Sequence, residues 1–197
     1  MALPQKKTER RFSYADYLTW PDDERWELID GIAYCMSPAP TSGHQALVGE
    51  FFWRIAAYLH GKSCRAFVAP FDVRLAEAGA RDNEILNVVQ PDILVYCDCS
   101  KIDQKGGRGA PDWVIEVLSP STSAKDQREK LALYERFGVL EYWLVHPTDR
   151  TVMVYRRGDP DFGRPEIHDE EGAPVCQLFP ELVLPLPDIF SVLPESL

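Results

Sequence analysis

Two acidic residues stand where acids are costly. Asp92 opens the run PDILVY, and Glu116 lies inside DWVIEVL among Val114, Ile115, Val117 and Leu118. An ionised carboxylate in such a strand needs a cation, a proton or a hydrogen-bonding partner. A third acid, Glu27, sits between Trp26 and Leu28 and can point away from both. Further along, DQREKLALYERF reads as helix, and at about 100° per residue its stripe carries Gln127, Lys130, Leu131, Tyr134 and Phe137. Lys130 thus points with apolar residues. If the strands bearing Asp92 and Glu116 are neighbours, their carboxylates meet at one end of a sheet and repel unless a cation lies between them. Hard oxygen donors with open water positions suit Mg2+ or Mn2+. Such an ion polarises a phosphoryl oxygen and activates water. Asp92 and Glu116 are therefore the expected metal ligands. Lys130 is expected to stabilise phosphate charge or orient water, and Glu27 to assist a metal or water.

Each residue also has a plainer reading. Asp92 can cap a loop after Pro91, and Glu116 can be a buried ion pair with Lys130 or Arg128. Lys130 can snorkel or pair with Asp126 one turn away. Glu27 can be a solvated strand-face glutamate. The mid-strand Glu116 is the hardest to explain in these terms. His44 reads first as a residue capping the start of a helix and second as a substrate contact. Lys125, Arg128 and Glu129 fall on the solvated side. Ser119, Ser121 and Ser123 lack the G-x-S-x-G elbow and read as a helix start, Ser123 and Asp126 forming a capping box. No GxGxxG, Walker loop or HExxH is present.

The elements that must hold these residues follow from periodicity. Residues 1–12 read as a flexible N-terminus and 13–197 as one domain. SYADYL starts a short helix, and RWELIDGIAYC is a hairpin about Asp30-Gly31. Leu47, Phe51, Ile55, Tyr58 and Leu59 recur at helical spacing, and Gly61 stops that helix. Residues 64–75 form one or two strands broken by Pro70. Residues 88–98 and 110–118 are the acid-bearing strands, and 123–137 is a helix ending at Gly138. EYWLVHP and TVMVYRR form a hairpin, and VCQLF in the proline-rich tail reads as an edge strand. This order predicts an α/β domain, a mixed central sheet flanked by helices.

Net charge is −10, which counts against a broad, nonspecific nucleic-acid binder without excluding a local basic face. No apolar run approaches the roughly 20 residues of a membrane helix. The five cysteines form no CxxC pair and read as reduced thiols of a cytoplasmic protein.

ELIDG at 27–31, SPAPTSGHQ at 37–45, PDILVY at 91–96, GAPDWVIEVLSPST at 109–122, DQREKLALYERFGV at 126–139 and EYWLVHP at 141–147 resemble the Uma-type restriction-endonuclease family of the PD-(D/E)XK superfamily. The resemblance runs in order over roughly residues 12–190. It implies a restriction-endonuclease-like fold and a Mg2+-dependent phosphodiesterase acting on nucleic acid, DNA above RNA. By position Asp92 matches the PD acid, Glu116 the second acid and Glu27 the upstream acid. The superfamily lysine belongs two residues after Glu116, where this chain has Leu118; the resemblance implies that Lys130 supplies it from the next helix. It also implies a homodimer. The competing reading is a catalytically silent nuclease fold kept for binding or assembly, which the acidic charge and Leu118 favour.

Overall fold

A computed structural model describes residues 6–7, 10–21, 23–36, 40–119, 123–159 and 161–193. The expected mixed α/β architecture is present, but its strands divide into two sheets rather than one. The first has the order β1-β3-β2-β6-β5-β9-β8: Lys6–Lys7, Ile32–Cys35, Trp26–Ile29, Val88–Val89, Val73–Arg74, Gly106–Arg108 and Ile102–Asp103. The second has the order β13-β12-β11-β10-β7-β4: Glu166–His168, Thr151–Arg156, Glu141–His146, Trp113–Val117, Ile93–Tyr96 and Arg65–Val68.

The β2–β3 hairpin turns through Asp30 at φ 50° and Gly31 at φ 76°, the left-handed pair that a type I′ turn demands. Strands β10 and β11 are parallel, so the chain between them must cross over one face of the sheet. That crossover is α3 (Ser123–Lys125), a π-helical turn (Asp126–Lys130) and α4 (Leu131–Phe137), closed by Gly138 at φ 84°. The helix therefore begins at Ser123, which cannot be its cap; Ser123 Oγ instead accepts from Gln127 Nε2 at 2.8 Å. Ser121 lies outside the described residues.

Strand alternation divides the apolar side chains of β10 between two cores. Trp113, Ile115 and Val117 pack with Leu47, Phe51 and Ile55 of α2 (Ser42–Leu59) and with Ile189 and Phe190 of α5 (Leu186–Phe190). Val114 and Leu118 pack on the other face with Leu133 and Tyr134 of α4. Glu116 shares that second face. Both faces of the sheet being covered is what makes its central strands continuously apolar.

Two expectations about the periphery fail. VCQLF forms no strand, only an isolated bridge between Val175 and Val183, and the sheet edge is β13 instead. The cysteines are not all free thiols: Cys64 and Cys97 form a disulfide, leaving Cys35, Cys99 and Cys176. Cys64 directly precedes β4 and Cys97 directly follows β7, and the register Arg65↔Tyr96 sets them side by side. Sequence spacing carries no sign of a pairing made by strand register. Among the described residues no helix is long and apolar enough to cross a membrane.

Candidate active site

The chain passes from the first sheet to the second through Gln90, Pro91 and Asp92, between β6 and β7. Acids from both sheets meet at this crossing. The antiparallel register of β7 with β10 pairs Ile93 with Ile115, which puts Asp92 directly across from Glu116. Each acid is held by the other's strand. Asp92 N–H donates to Glu116 Oε2 at 3.3 Å, and Val117 N–H donates to Asp92 Oδ2 at 2.9 Å. From the first sheet, Glu27 turns away from Trp26 and Leu28, and its Oε1 accepts the Gln90 N–H at 2.9 Å. Three of the expected acids thus meet, and none is a solvated surface group.

Lys130 is the centre of the cluster. Its Nζ lies 2.8 Å from Glu116 Oε1, 2.9 Å from Glu27 Oε1 and 3.5 Å from Asp126 Oδ1. Tyr134 donates its hydroxyl to the same Glu116 Oε1 at 3.1 Å. Lys130 does not snorkel: it is 3% exposed and links acids from both sheets. Leu118, where the superfamily pattern has its lysine, packs apolar on this same face. The amine thus arrives from the crossover helix above the strand rather than from the strand itself.

Lys125 corrects the helical projection. It is buried, and its Nζ forms an ion pair with Glu27 Oε2. Gln127, expected on the inward stripe, is exposed. The cause is the π-turn: with hydrogen bonds spanning five residues instead of four, Lys125 and Lys130 come to lie on the same side. Projection at 100° separates them. Such turns are frequent at functional sites.

His44 corrects another expectation. Thr41 is the cap of α2, its Oγ1 accepting the His44 N–H at 3.2 Å. The imidazole is free to reach the sheet end, where Nε2 stands 3.2 Å from Asp92 Oδ2. Asp92 and His44 form the open rim of the cluster, with side chains 20% and 11% exposed.

Formal charges explain the protonation pattern. Glu27, Asp92, Glu116 and Asp126 bring four carboxylates against the two ammonium groups of Lys125 and Lys130. Burial alone would push the Glu27 carboxyl up, but Lys130 and Lys125 outweigh it and hold it at about 2. Glu116 has no such surplus of cations. Burial, with the neighbouring Asp126, Asp92 and Glu27, outweighs Lys130 and raises Glu116 to about 8. Burial pulls Lys130 down, yet Glu116, Glu27 and Asp126 together raise it well above the ordinary lysine range, so it stays charged. Burial lowers His44, but its bond to Asp92 more than restores it.

The surplus of two negative charges tests whether a dication fits. A divalent ion between Asp92 and Glu116 would neutralise it. Glu116 Oε2 already faces Asp92, while Oε1 is occupied by Lys130 and Tyr134. Among the described residues no three His, Cys, Asp or Glu side chains are already aimed at one centre. To bind a divalent ion, Glu116 would have to turn an oxygen away from these partners.

Comparison with other proteins bears on the family and the fold. The profile of the Uma2 family, described as "Putative restriction endonuclease", matches residues 14–187. The fold is similar to the crystal structure of "a putative nuclease belonging to DUF820" from Anabaena variabilis, with a TM-score of 0.73 and 27% identity. That match covers 91% of this chain and 98% of the other. An uncharacterized protein of Synechocystis sp. is 28% identical over 152 residues, 76% of each chain.

Proposed function

The chain belongs to the Uma2 family, and from that membership and the geometry of its acidic crossing we propose a metal-dependent endonuclease that hydrolyses phosphodiester bonds of DNA. One observation carries the reading: Asp92 and Glu116 face each other at the junction of two sheets, with the Lys130 amine on Glu116. Asp92 and Glu116 would hold Mg2+ or Mn2+, which supplies Lewis-acid polarisation of a phosphoryl oxygen and a more acidic bound water. Lys130 keeps a positive charge beside the reacting group in a site closed to water, where it is worth far more than at the surface. Glu27 and Lys125 fix the position of that amine. Nucleic acid approaches from the rim formed by Asp92 and His44. A homodimer would present two such sites to the two strands of a duplex; light scattering of the purified protein tests this.

Nicking of supercoiled plasmid with Mg2+ or Mn2+ tests the activity. Glu116→Gln and Lys130→Met are expected to lose at least about a hundredfold in rate. Absence of metal-dependent cleavage by the intact protein, on DNA and RNA alike, removes the reading. A second reading, a nuclease fold retained for binding without chemistry, rests on burial. Glu27, Glu116 and Lys130 are each at most 3% exposed and already saturated by one another. In that case Glu116→Gln changes stability and leaves nucleic-acid binding untouched.

A further inference from the structure

The two lysines of the acidic crossing are buried and spent on its carboxylates, so a polyanion reaching the rim needs a cation from elsewhere. Arg25 stands there. The Met36 N–H donates to the Arg25 carbonyl at 2.8 Å, which extends the β2–β3 ladder by one pair beyond Trp26. Two residues before Glu27, Arg25 therefore falls on the same face of β2. Glu27 is buried there, whereas Arg25 is exposed. Counting three residues along the antiparallel pair from Leu28↔Val88 sets Arg25 level with Pro91, next to Asp92. Its guanidinium is held by an amide and, among the described residues, by no acid. Nε and Nη2 both donate to Gln90 Oε1, at 3.1 and 2.6 Å. Gln90 is buried and its orientation is fixed, because Nε2 donates to Asp72 Oδ1 at 2.8 Å and to the Tyr17 hydroxyl at 3.3 Å. The same residue's N–H goes to Glu27, so Gln90 ties the guanidinium to the acid cluster. A guanidinium carries five N–H donors in a rigid fork. Gln90 takes two, and three remain.

We propose that Arg25 binds a phosphate of the nucleic-acid backbone flanking the one that reaches Asp92, and so places the strand over the rim. The inference rests on the nucleic-acid reading above and deepens it. Phosphate accepts paired N–H bonds from a guanidinium, and a fork already braced by Gln90 loses less freedom on binding than a loose side chain. The surplus of negative charge at the crossing repels a phosphate. Arg25 offsets that repulsion at the mouth without entering the cluster. Because the contact is to the backbone, it positions the strand and reads no base.

The test is fluorescence anisotropy of two labelled duplexes of unrelated sequence with the full chain in EDTA, at salt from about 50 to 200 mM, for wild type, Arg25→Ala and Arg25→Lys. Cleavage kinetics in Mg2+ and Mn2+ accompany it. Expected for Arg25→Ala are a loss of about tenfold in affinity on both duplexes alike, and a slope of log affinity against log salt smaller by about one. KM rises by a similar factor while kcat stays within about threefold. Arg25→Lys keeps the slope and recovers only part of the affinity, since an ammonium group does not reproduce the fork on Gln90. Unchanged affinity and slope in Arg25→Ala overturn the inference. So does a loss of binding that follows a lowered Tm with the slope intact, which is what an arginine that only braces Gln90 would give, and so does a loss on one duplex alone. Cleavage by the wild type that Arg25→Ala leaves unaltered removes this inference and spares the nuclease. The Arg25 effects on binding without any cleavage keep the contact and remove the nuclease. If the wild type neither binds nor cleaves nucleic acid, the two fall together.

Discussion

Glu116→Gln should change how stability depends on pH in the absence of metal. The Glu116 carboxyl is at about 8 in the folded protein against an ordinary 4.5. For a group raised on folding, the stabilising contribution is complete below 4.5 and is lost as pH rises through 8. At about 1.4 kcal/mol per pH unit the whole window is worth roughly 5 kcal/mol. Between pH 5 and 8 the wild type should therefore lose about 4 kcal/mol from this group alone, roughly 8–16 °C in Tm for a chain of this length. The variant keeps an amide oxygen for Lys130 and Tyr134, but its NH2 then faces the Asp92 N–H. That clash adds a penalty of about 1–3 kcal/mol that does not vary with pH. The slope, not the absolute Tm, is the readout. Thermal melts and urea titrations in EDTA at half-unit steps from pH 5 to 8.5 measure it, and the difference between the two proteins cancels the titrating groups away from this crossing. Parallel curves for the two proteins would mean that folding does not raise the Glu116 carboxyl, and the balance of burial and neighbouring acids over Lys130 would be wrong.

Glu27 has the opposite sign: held at about 2, its contribution is present above 4.5 and is lost as pH falls through 2. Glu27→Gln should flatten the acid limb of the stability curve by roughly 3 kcal/mol, checked by melts from pH 5 to 2. Lys125→Met strands the fully buried Glu27 with one ammonium partner and should cost about 3–5 kcal/mol in urea unfolding. A cost below 1 kcal/mol would return Lys125 to the surface. Mn2+ at about a hundred times its Kd should add about 2.7 kcal/mol to the wild type and little to Glu116→Gln, read as a Tm shift. Thiol titration of the denatured, unreduced protein should find the three free cysteines Cys35, Cys99 and Cys176, and all five after reduction.

The sequence alone determined which acids fall where a charge is costly to bury. Glu116 in a five-residue buried strand and Asp92 at the head of another announce themselves because a buried charge is costly wherever the chain goes. Apolar periodicity placed Lys130 inward, on one stripe with Leu131, Tyr134 and Phe137, and Tyr134 is indeed buried beside it. The Asp30-Gly31 turn was equally legible, because left-handed backbone is a local property. What local patterns could not decide was everything made by pairing. The two sheets, their junction at Gln90–Asp92 and the Cys64–Cys97 bond come from strand registers between distant segments. Lys125 was assigned to solvent because regular helical spacing says so. Only the pull of Glu27 from the other sheet, met through a π-turn, accounts for its burial. His44 lost its capping role to Thr41, three residues earlier, and found Asp92 once α2 lay against the sheet. A side chain's cost of burial is written in its own neighbourhood, whereas its partner is chosen by the packing of elements that the neighbourhood does not contain.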